Sequence, residues 1–478
     1  MRQFKHCIIF LIDGARPDVM EKMMKRGNLP NIQRYLLEPG SYTKAVTSFP
    51  STTGPAYIPI LTGCYPGTAD VPGIRWFDKE ESSRKRLSLR RQRSYMGVEA
   101  PLFNSDLRKD KLTLFEIFQN SINIFNPLTR GINSTNNLTR FSKTLYYLFV
   151  HLTSAWQIVD WATHRYLFRA IRKKPEFIFA LFPAVDCLSH FTHPFSKTVL
   201  DAYLEVDKFI GKTVQHLKRE NILEETLLIL TSDHGLTPTH THVDLVDFLD
   251  KRGYRAFHHP RITRRQTKAA VMVSGNSMAH IYLKNDQGWG KRIYFDELEK
   301  NHKRLLSDLI DLPEVALVAC ADEDGGVCVL RNGGKAKIRE REGNIDYSVE
   351  GEDPFGYKGL PQRLNPTTSL EHTFDSDYPD ALVQLIQIFK SRRSGDIILS
   401  AQKGFDLRAR FEWPEHKASH GSLHREHMLV PLFINTKIET RKIRTADIFP
   451  SILELMGREN SNEIDGKSFV PVYNGTFR

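Results

Sequence analysis

An α/β fold with a central, mainly parallel sheet flanked by helices is predicted by two observations. Four apolar runs have the composition of strands that are buried on both faces, namely HCIIFLID, EFIFALFPAVD, TLLILTSDHG and MLVPLFIN. Helical patterns lie between and after them, at about residues 17–26, 29–37, 196–219 and 445–457. Strands that alternate with helices are typical of a parallel sheet, which collects its ligands at the carboxyl ends of its strands.

Residues 79–175 interrupt this alternation and are predicted to form a helical insertion. They begin with the basic run KEESSRKRLSLRRQR and continue into a segment rich in aromatic residues. Apolar side chains recur in that segment at helical spacing, at Leu145, Leu148, Leu152, Trp156 and Val159. We expect helices packed on the core. The alternative is an amphipathic surface that contacts lipid or covers an apolar substrate.

Residues 260–400 form the second interruption. Short strand-like runs (MAHIYLK, VALVACA and GVCVLRN) occur there with Gly-Gly turns at 325–326 and 333–334. We expect a smaller α+β insertion that forms a cap over the active site. The α/β core is then assembled from three parts, which are residues 1–78, 176–259 and 401–478.

Charge and cysteine content limit the class of protein. The net charge of +11 favours an anionic partner: a phosphate-bearing substrate, a nucleic acid or an acidic membrane surface. Specific nucleic-acid binding is not expected, because the basic residues are not interleaved with stacking aromatic residues. The five cysteines are scattered and form no CxxC pair, so neither a disulfide framework nor a cysteine zinc site is predicted.

A reducing compartment follows from this cysteine usage, and we expect a cytoplasmic protein, with peripheral membrane contact as an alternative. The run CIIFLI near residue 1 is short and lacks a cleavage site of small residues, so we interpret it as a buried strand and not as a signal peptide. No stretch approaches the roughly 20 apolar residues of a membrane-spanning helix.

Acids and histidines follow the predicted strands and are the candidate metal ligands. Each one alone has an ordinary explanation as a helix cap or a surface residue, but an acid or histidine accompanies almost every strand end. Carboxylate and imidazole together suit hard or borderline divalent ions. The candidates are Asp13, Asp186, His190, Asp233, His234 and His420.

A hydroxyl cluster in SFPSTTGPAY precedes the helix-like YIPILTG. Two neighbouring ions lower the pKa of a hydroxyl, which turns a threonine or a water into a nucleophile at neutral pH. From the residues alone, a plain Ser/Thr cap at a helix start is the favoured interpretation of this cluster.

The motifs FLIDGARPD, FPSTTGPAYIPILTGCYP, DCLSH, TSDHG and SHG, in this order, resemble the alkaline phosphatase superfamily, and most closely its type I phosphodiesterase/nucleotide pyrophosphatase branch. The segment RTADIFPSILELMG…IDGKSFVP resembles the closing segment of that superfamily. The resemblance implies an alkaline-phosphatase-like fold and a covalent phospho-threonine mechanism with two divalent ions. Zinc is the expected metal, and manganese and iron are alternatives that the same ligands accept.

The resemblance also implies a role for each candidate. Thr53 matches the nucleophile, because P-S-T-T-G-P fits the proline–x–x–Thr–x–Pro pattern, and Thr52 is the alternative. One ion would bind Asp13, Thr53, Asp233 and His234; the other would bind Asp186, His190 and His420.

One departure concerns Ala56, which stands where the phosphodiesterase branch has an asparagine that hydrogen-bonds a phosphate oxygen. Arg16, Arg75 and Tyr57 are the candidates to replace this donor, and Arg75 is attractive because a guanidinium binds phosphate with two hydrogen bonds. His240 and His242 are expected to lie outside the ligand shell.

Hydrolysis of a phosphodiester or pyrophosphate bond in a small substrate, a nucleotide or a lipid-like phosphoester, is therefore the predicted function. The alternatives are a phosphomonoesterase or phospho-group transferase on the same metal pair, and a membrane-associated scaffold that has lost catalysis. Sulfatase activity is disfavoured, because no modified Cys or Ser followed by Pro-x-Arg stands at the nucleophile position.

Overall fold

A mixed sheet with His6–Ile12 near its centre carries the fold in the computed structural model, which describes residues 3–84, 91–97, 99–259, 264–286, 288–408, 415–460 and 462–471. Within these residues the sheet has seven strands, in the spatial order Ile443–Arg444, Ser41–Val46, Leu429–Ile434, Thr226–Thr231, His6–Ile12, Phe177–Phe182 and Ser121–Ile124.

All four apolar runs form strands of this sheet. His6–Ile12 pairs in parallel with both Phe177–Phe182 and Thr226–Thr231, and Ser121–Ile124 adds a further parallel strand at the edge. Leu429–Ile434 is equally buried but runs antiparallel to Thr226–Thr231. An apolar run indicates burial on both faces but not direction, so the sequence could not distinguish this strand from the parallel ones. The predicted α/β class with a mainly parallel sheet is confirmed.

The four predicted helical patterns are all helical in the structure. The α-helices of the described residues are Pro17–Lys25, Pro30–Ile32, Tyr57–Thr62, Lys79–Arg84, Phe103–Asp106, Leu114–Ile117, Ser142–Thr153, Gln157–Ile171, Ala184–Phe191, Lys197–Arg219, Leu245–Asp250, Phe295–Asn301, Lys303–Ile310, Pro366–Thr373, Ala381–Lys390, Arg425–Met428 and Ile448–Leu455. Pro30–Ile32 continues as a π-helix over Gln33–Leu37, and short 3₁₀ turns cover Ala100–Leu102, Leu223–Glu225 and Thr445–Asp447.

The segment 79–175 is not purely helical, because it contributes the edge strand Ser121–Ile124 to the central sheet. Residues 85–90 of its basic run lie outside the described residues. Ser154, with φ of 57°, separates the helices Ser142–Thr153 and Gln157–Ile171. The apolar positions expected on one face are therefore divided: Trp156 and Val159 are buried, and Leu145, Leu148 and Leu152 are exposed.

A second sheet occupies the region predicted as the smaller insertion, and it has more strands than the central one. Its nine strands in the described chain, in spatial order, are Ala256–His258, Ala269–Ser274, Met278–Leu283, Ile397–Ala401, Val315–Ala321, Val327–Arg331, Gly334–Arg341, Asn344–Gly351 and Arg363–Leu364. Three two-stranded pairings complete the strands: Arg75–Phe77 with Gln92–Ser94, Thr237–Pro238 with Ala418–Ser419, and Thr241–His242 with Phe405–Asp406.

The second sheet meets the core next to the hydroxyl cluster. Phe49 is buried in the same apolar cluster as Met278 and Leu385. Its backbone N–H donates to Gln384 Oε1 (2.9 Å), and its carbonyl accepts from Gln387 Nε2 (2.6 Å). These contacts fix the chain shortly before Thr53. Among the described residues, no helix combines the length and the apolar composition that crossing a lipid bilayer requires.

Candidate active site

The acids of the site stand where parallel strands end at one edge of the central sheet. Asp13 directly follows His6–Ile12. Asp186 lies in the first turn of Ala184–Phe191, the helix that follows Phe177–Phe182. Asp233 comes two residues after the end of Thr226–Thr231. Because these strands run in the same direction side by side, their carboxyl ends bring Asp13 together with acids that follow it by 173 and 220 positions in the chain.

Thr53 reaches this group of acids with its hydroxyl. Thr53 Oγ1 lies 3.2 Å from Asp13 Oδ1 and 3.0 Å from His234 Nε2. Thr53 is partly exposed, whereas Thr52 is buried. The loop is held in place by Thr47, whose hydroxyl donates to the carbonyl of Asp233 (2.5 Å). Of the two neighbouring threonines, the structure brings Thr53 to the acids.

Asp13, Asp233 and His234 surround the Thr53 hydroxyl. His234 Nε2 is 3.4 Å from both Asp13 Oδ1 and Asp233 Oδ2. His234 Nδ1 lies 3.1 Å from the carbonyl of Gly235, which acts as its acceptor and leaves Nε2 directed at the acids. The backbone N–H of Gly14 donates to Asp233 Oδ1 (3.3 Å). At Gly14, φ is 69° and an added Cβ would lie 2.8 Å from Asp186 Cβ, so only glycine allows this approach.

Asp186, His190 and His420 form the adjacent group. His190 follows Asp186 by four residues on one helix, and its Nε2 lies 3.3 Å from Asp186 Oδ2. His420 Nε2 lies 3.9 Å from Asp186 Oδ1. Both histidines use Nδ1 to donate to a backbone carbonyl, that of Ala418 (2.7 Å) for His190 and that of Ser51 (3.1 Å) for His420. Their Nε2 atoms therefore carry the free lone pair that a metal requires.

Two sets of three side chains have ligand atoms close enough together to hold a metal ion. Among the described residues, these atoms lie within 4.8 Å of one another in the set Asp186, His190 and His420 and in the set Asp13, Asp186 and His234. Asp186 belongs to both sets, whereas the sequence had assigned it to one ion and Asp233 to the other. The two sets are thus adjacent and share a carboxylate.

Two buried carboxylate oxygens in this cluster lack a hydrogen-bond donor. They are Asp186 Oδ1 and Asp233 Oδ2, and neither oxygen accepts a hydrogen bond within the described chain. A buried anion without a donor is costly unless it is paired or coordinates a metal. The unsatisfied oxygens therefore fit divalent cations at this position.

Burial and mutual repulsion perturb the acids. Burial and then the charges of Asp233 and Asp186 raise the pKa of Asp13 well above its usual value, and burial also raises the pKa of Asp233 although His234 opposes it. Burial disfavours the Asp186 carboxylate, but His190, His420 and His234 outweigh it and lower its pKa. Burial and His234 hold the pKa of His420 well below 6.5, which keeps the ring neutral and able to bind a metal.

The three predicted substrate contacts are occupied by other partners. The Arg16 guanidinium, buried in the structure, pairs with Asp18 (2.8 Å) and Glu426 (2.8 Å) and donates to the carbonyl of Leu236. Arg75 Nη1 donates to the carbonyl of Val273 (3.0 Å).

Tyr57 is fully buried, and its hydroxyl donates to Asp13 Oδ2 (3.0 Å). This hydrogen bond holds an acid of the site in place. Ala56 next to it is fully buried as well and offers no side-chain donor.

His416 was missed from the sequence. Its ring centre lies 4.2 Å from that of His190, and its Nδ1 lies 3.2 Å from Asn276 Nδ2. Burial and then His190 lower the pKa of His416 to about 2. The available signal was its position four residues before His420. The carbonyls of Ser51 and Ala418 carry no sequence signal, because every residue has one.

His240 and His242 lie outside both ligand sets of the described chain. His242 pairs through Nδ1 with Asp406 (2.7 Å) and through Nε2 with Glu415 (2.9 Å). His240 packs against the ring of Phe405 at 5.1 Å.

Solved structures with the same fold include two enzymes. A phosphonoacetate hydrolase of Sinorhizobium meliloti, crystallised with phosphonoacetate, is 15% identical with a TM-score of 0.58, over 95% of this chain and 96% of that chain. The murine ectonucleotide pyrophosphatase/phosphodiesterase 5 is 14% identical with a TM-score of 0.57, over 97% of each chain. At these identities the likeness establishes the alkaline-phosphatase-like fold.

Sequence comparison gives the family. An uncharacterized pyrophosphatase/phosphodiesterase of Schizosaccharomyces pombe is 25% identical over 235 residues, which cover 48% of this chain and 45% of that protein. The alignment therefore spans less than half of the relative's length. Residues 7–423 match the type I phosphodiesterase/nucleotide pyrophosphatase family, a family of phosphoester hydrolases, and this match extends over most of the chain. The resemblance seen in the motifs is thus confirmed, and the chain belongs to the type I phosphodiesterase/nucleotide pyrophosphatase family.

Proposed function

We propose that this protein hydrolyses phosphodiester or pyrophosphate bonds of small substrates through a phospho-threonine intermediate on Thr53. One observation carries the proposal: the Thr53 hydroxyl lies within 3.2 Å of Asp13 and 3.0 Å of His234, at the centre of a buried group of acids and histidines. A threonine used only as a helix cap would direct its oxygen at backbone N–H groups instead.

Two divalent ions are part of the proposal, with zinc expected and manganese or iron as alternatives. Asp13, Thr53, Asp233 and His234 would hold one ion; Asp186, His190 and His420 would hold the other, with Asp186 close enough to serve both. When bound, such ions supply positive charge that stabilises the negative charge of the transition state and lower the pKa of coordinated hydroxyls. The donor-free oxygens of Asp186 and Asp233 support this assignment.

Thr53 and Asp13 have different roles in the proposed reaction. Thr53 Oγ1 attacks phosphorus, so that an Oγ1–P bond forms and the bond to the leaving oxygen breaks. Asp13 Oδ1, at 3.2 Å, orients the attacking hydroxyl and accepts its proton, and the leaving oxygen departs with the electron pair of the broken bond. In the second half-reaction a water molecule attacks phosphorus. Its oxygen stays on the released phosphomonoester, and a proton returns to Thr53 Oγ1.

A relative supports the choice of nucleophile. An inactive variant of murine ectonucleotide pyrophosphatase/phosphodiesterase 5, in which alanine replaces one threonine, has been solved in complex with AMP. By analogy, a nucleotide is the first substrate class for this chain, and a lipid-like phosphoester is the second.

Ala56 favours a second candidate on the same centre, a phosphomonoesterase or phospho-group transferase. Its methyl group cannot donate to a non-bridging phosphate oxygen, and Arg16, Arg75 and Tyr57 are engaged with other protein groups. The predicted cytoplasmic location belongs to the proposal as well, with the support that all five cysteines are free thiols.

Thr53→Ala and Thr52→Ala form the matched pair that tests the proposal. With zinc present, hydrolysis of bis-p-nitrophenyl phosphate should fall by about 10³-fold or more in Thr53→Ala. Thr52→Ala should keep activity close to that of the wild type. Equal loss in both variants, or none in Thr53→Ala, would contradict the assignment. A strong preference for p-nitrophenyl phosphate selects the monoesterase, and a protein without activity and without bound metal selects the scaffold.

A further inference from the structure

The helix Ser142–Thr153 leaves an apolar face uncovered. Phe141 is 83% exposed and Leu152 78% exposed, and Leu145 and Leu148 lie between them on the same side of the helix. The opposite side packs inward: Val150 is buried and the Tyr146 ring stands edge-on to Phe125. Contiguous exposed apolar side chains of this size mark a contact surface.

The next helix extends this face. Gln157–Ile171 follows after the left-handed turn at Ser154, and it exposes Ile158 and Trp161. Trp161 is 56% exposed, whereas Trp156 beside it is buried. Tryptophan with an apolar ring and a polar N–H favours the boundary between lipid and water. We call the exposed side chains Phe141, Leu145, Leu148, Phe149, Leu152, Ile158 and Trp161 the apolar face.

Positive charge borders the apolar face. Between residues 140 and 174 the only acid is Asp160, which is buried. Arg165 and Arg169 follow Trp161 by one and two turns on the same side of the helix. Within the described part of the chain, none of the exposed basic side chains here forms an ion pair with Asp or Glu; they are Arg140, Arg165, Arg169, Arg172, Lys173 and Lys174.

We propose that the apolar face with its basic border docks on the surface of an anionic lipid bilayer. Apolar side chains would enter the boundary of the acyl chains while the lysines and arginines meet the acidic headgroups. A second copy of this chain is a poorer occupant, because packing the face against itself would bring two unpaired basic borders together. The proposal is independent of the reaction at Thr53.

The inner side of the same helix packs against the apolar core. Tyr147 lies on this side, and its ring centre is 5.7 Å from that of Trp156. The outer side therefore keeps its apolar side chains exposed.

Vesicle flotation of the full chain tests the proposal. Phosphatidylcholine vesicles with about 30% phosphatidylglycerol should carry the protein, and pure phosphatidylcholine vesicles should not. Binding should shift the Trp161 fluorescence to shorter wavelength, and Trp161→Phe should remove most of that shift. The Leu148→Glu/Leu152→Glu variant should bind at least about tenfold more weakly, and Arg165→Gln and Arg169→Gln roughly fivefold more weakly each.

Two controls separate this proposal from folding and from catalysis. Val349→Glu places a charge at another exposed apolar residue, in the second sheet, and should bind vesicles like the wild type. Thr53→Ala should also bind normally, whatever its activity. Circular dichroism and thermal melting show whether the Leu148→Glu/Leu152→Glu variant is folded; if it is not, Arg165→Gln/Arg169→Gln replaces it.

Three results would overturn the proposal. The first is that the wild type floats with neither kind of vesicle. The second is that folded variants of the apolar face float as well as the wild type. The third is a dimer that ignores vesicles and becomes monomeric in Leu148→Glu, which would assign the face to a second copy of the chain.

Discussion

Tyr57→Phe is the most informative single change, because it removes one hydroxyl and leaves the ring in place. The hydroxyl is fully buried and donates to Asp13 Oδ2 at 3.0 Å. Among the described residues, the Tyr57 hydroxyl is the side-chain donor to Asp13 Oδ2, whereas the Thr53 hydroxyl contacts Asp13 Oδ1. Without it, Asp13 loses orientation and also a contact that lowers its pKa.

The magnitude follows from the kind of hydrogen bond. A buried hydrogen bond to a charged group contributes about 1.5–3 kcal/mol. If Asp13 binds a metal, that loss corresponds to roughly 10- to 150-fold weaker binding, since about 1.4 kcal/mol changes an equilibrium constant tenfold. Outer hydrogen-bond partners of metal ligands typically affect affinity by about 10- to 100-fold, which agrees with this range.

Zinc affinity by competition with a chelating dye is the assay, with hydrolytic activity measured at saturating zinc. Tyr282→Phe is the matched control: Tyr282 is also buried, in the second sheet, but its hydroxyl donates to the carbonyl of Arg393 (2.7 Å). Tyr282→Phe should lower the stability of the fold but leave the zinc affinity at the wild-type value. Equal zinc affinity in Tyr57→Phe and the wild type would refute the reasoning that Tyr57 supports a metal ligand.

The remaining predictions concern charge at the site. Because burial and the neighbouring acids raise the pKa of Asp13, its ionisation costs stability as the pH rises above the usual range of an aspartate. Asp13→Asn should therefore raise the melting temperature of the chelator-treated protein at pH 7 more than at pH 4, and it should abolish stabilisation by added zinc; a lower melting temperature at pH 7 would contradict this. Arg16→Met should lower the free energy of unfolding in urea by about 2–3 kcal/mol. The Arg16 side chain is only 5% exposed, and its loss leaves the partly buried Glu426 carboxylate without this ion-pair partner. An unchanged midpoint of unfolding together with a raised KM would instead assign Arg16 to the substrate.

Several features could be predicted from the sequence because each depends on local composition. HCIIFLID and its three companions are strands, since continuous apolar runs of that length need cover on both faces. Asp186 and His190 could be paired in advance, because a spacing of four residues on a helix places both on one side. The family motifs indicated which other acids and histidines lie near this pair, and that Thr53 and not Thr52 lies beside the acids.

Other features depend on contacts between residues far apart in the chain, and no local pattern encodes them. Leu429–Ile434 is as apolar as its neighbours, so its antiparallel direction became visible only in the sheet. Tyr57 and Arg16 have the chemistry of substrate contacts, yet the partners that occupy them, Asp13 and Glu426, lie 44 and 410 residues away. Helical spacing placed Leu148 and Trp156 on one apolar face, but the turn at Ser154 buries Trp156 and leaves Leu148 in solvent.

Composition and motif order thus determined the fold class, the family and the set of side chains that meet at the sheet edge. The tertiary structure decided that Asp186 lies close to both groups of candidate metal ligands and that Arg16 and Tyr57 are bonded to protein acids. It also decided which apolar side chains of Ser142–Thr153 are exposed to solvent. The physical reason is that burial propensity and helical periodicity are properties of short segments. Hydrogen-bond partners and electrostatic neighbours are instead set by how distant segments pack.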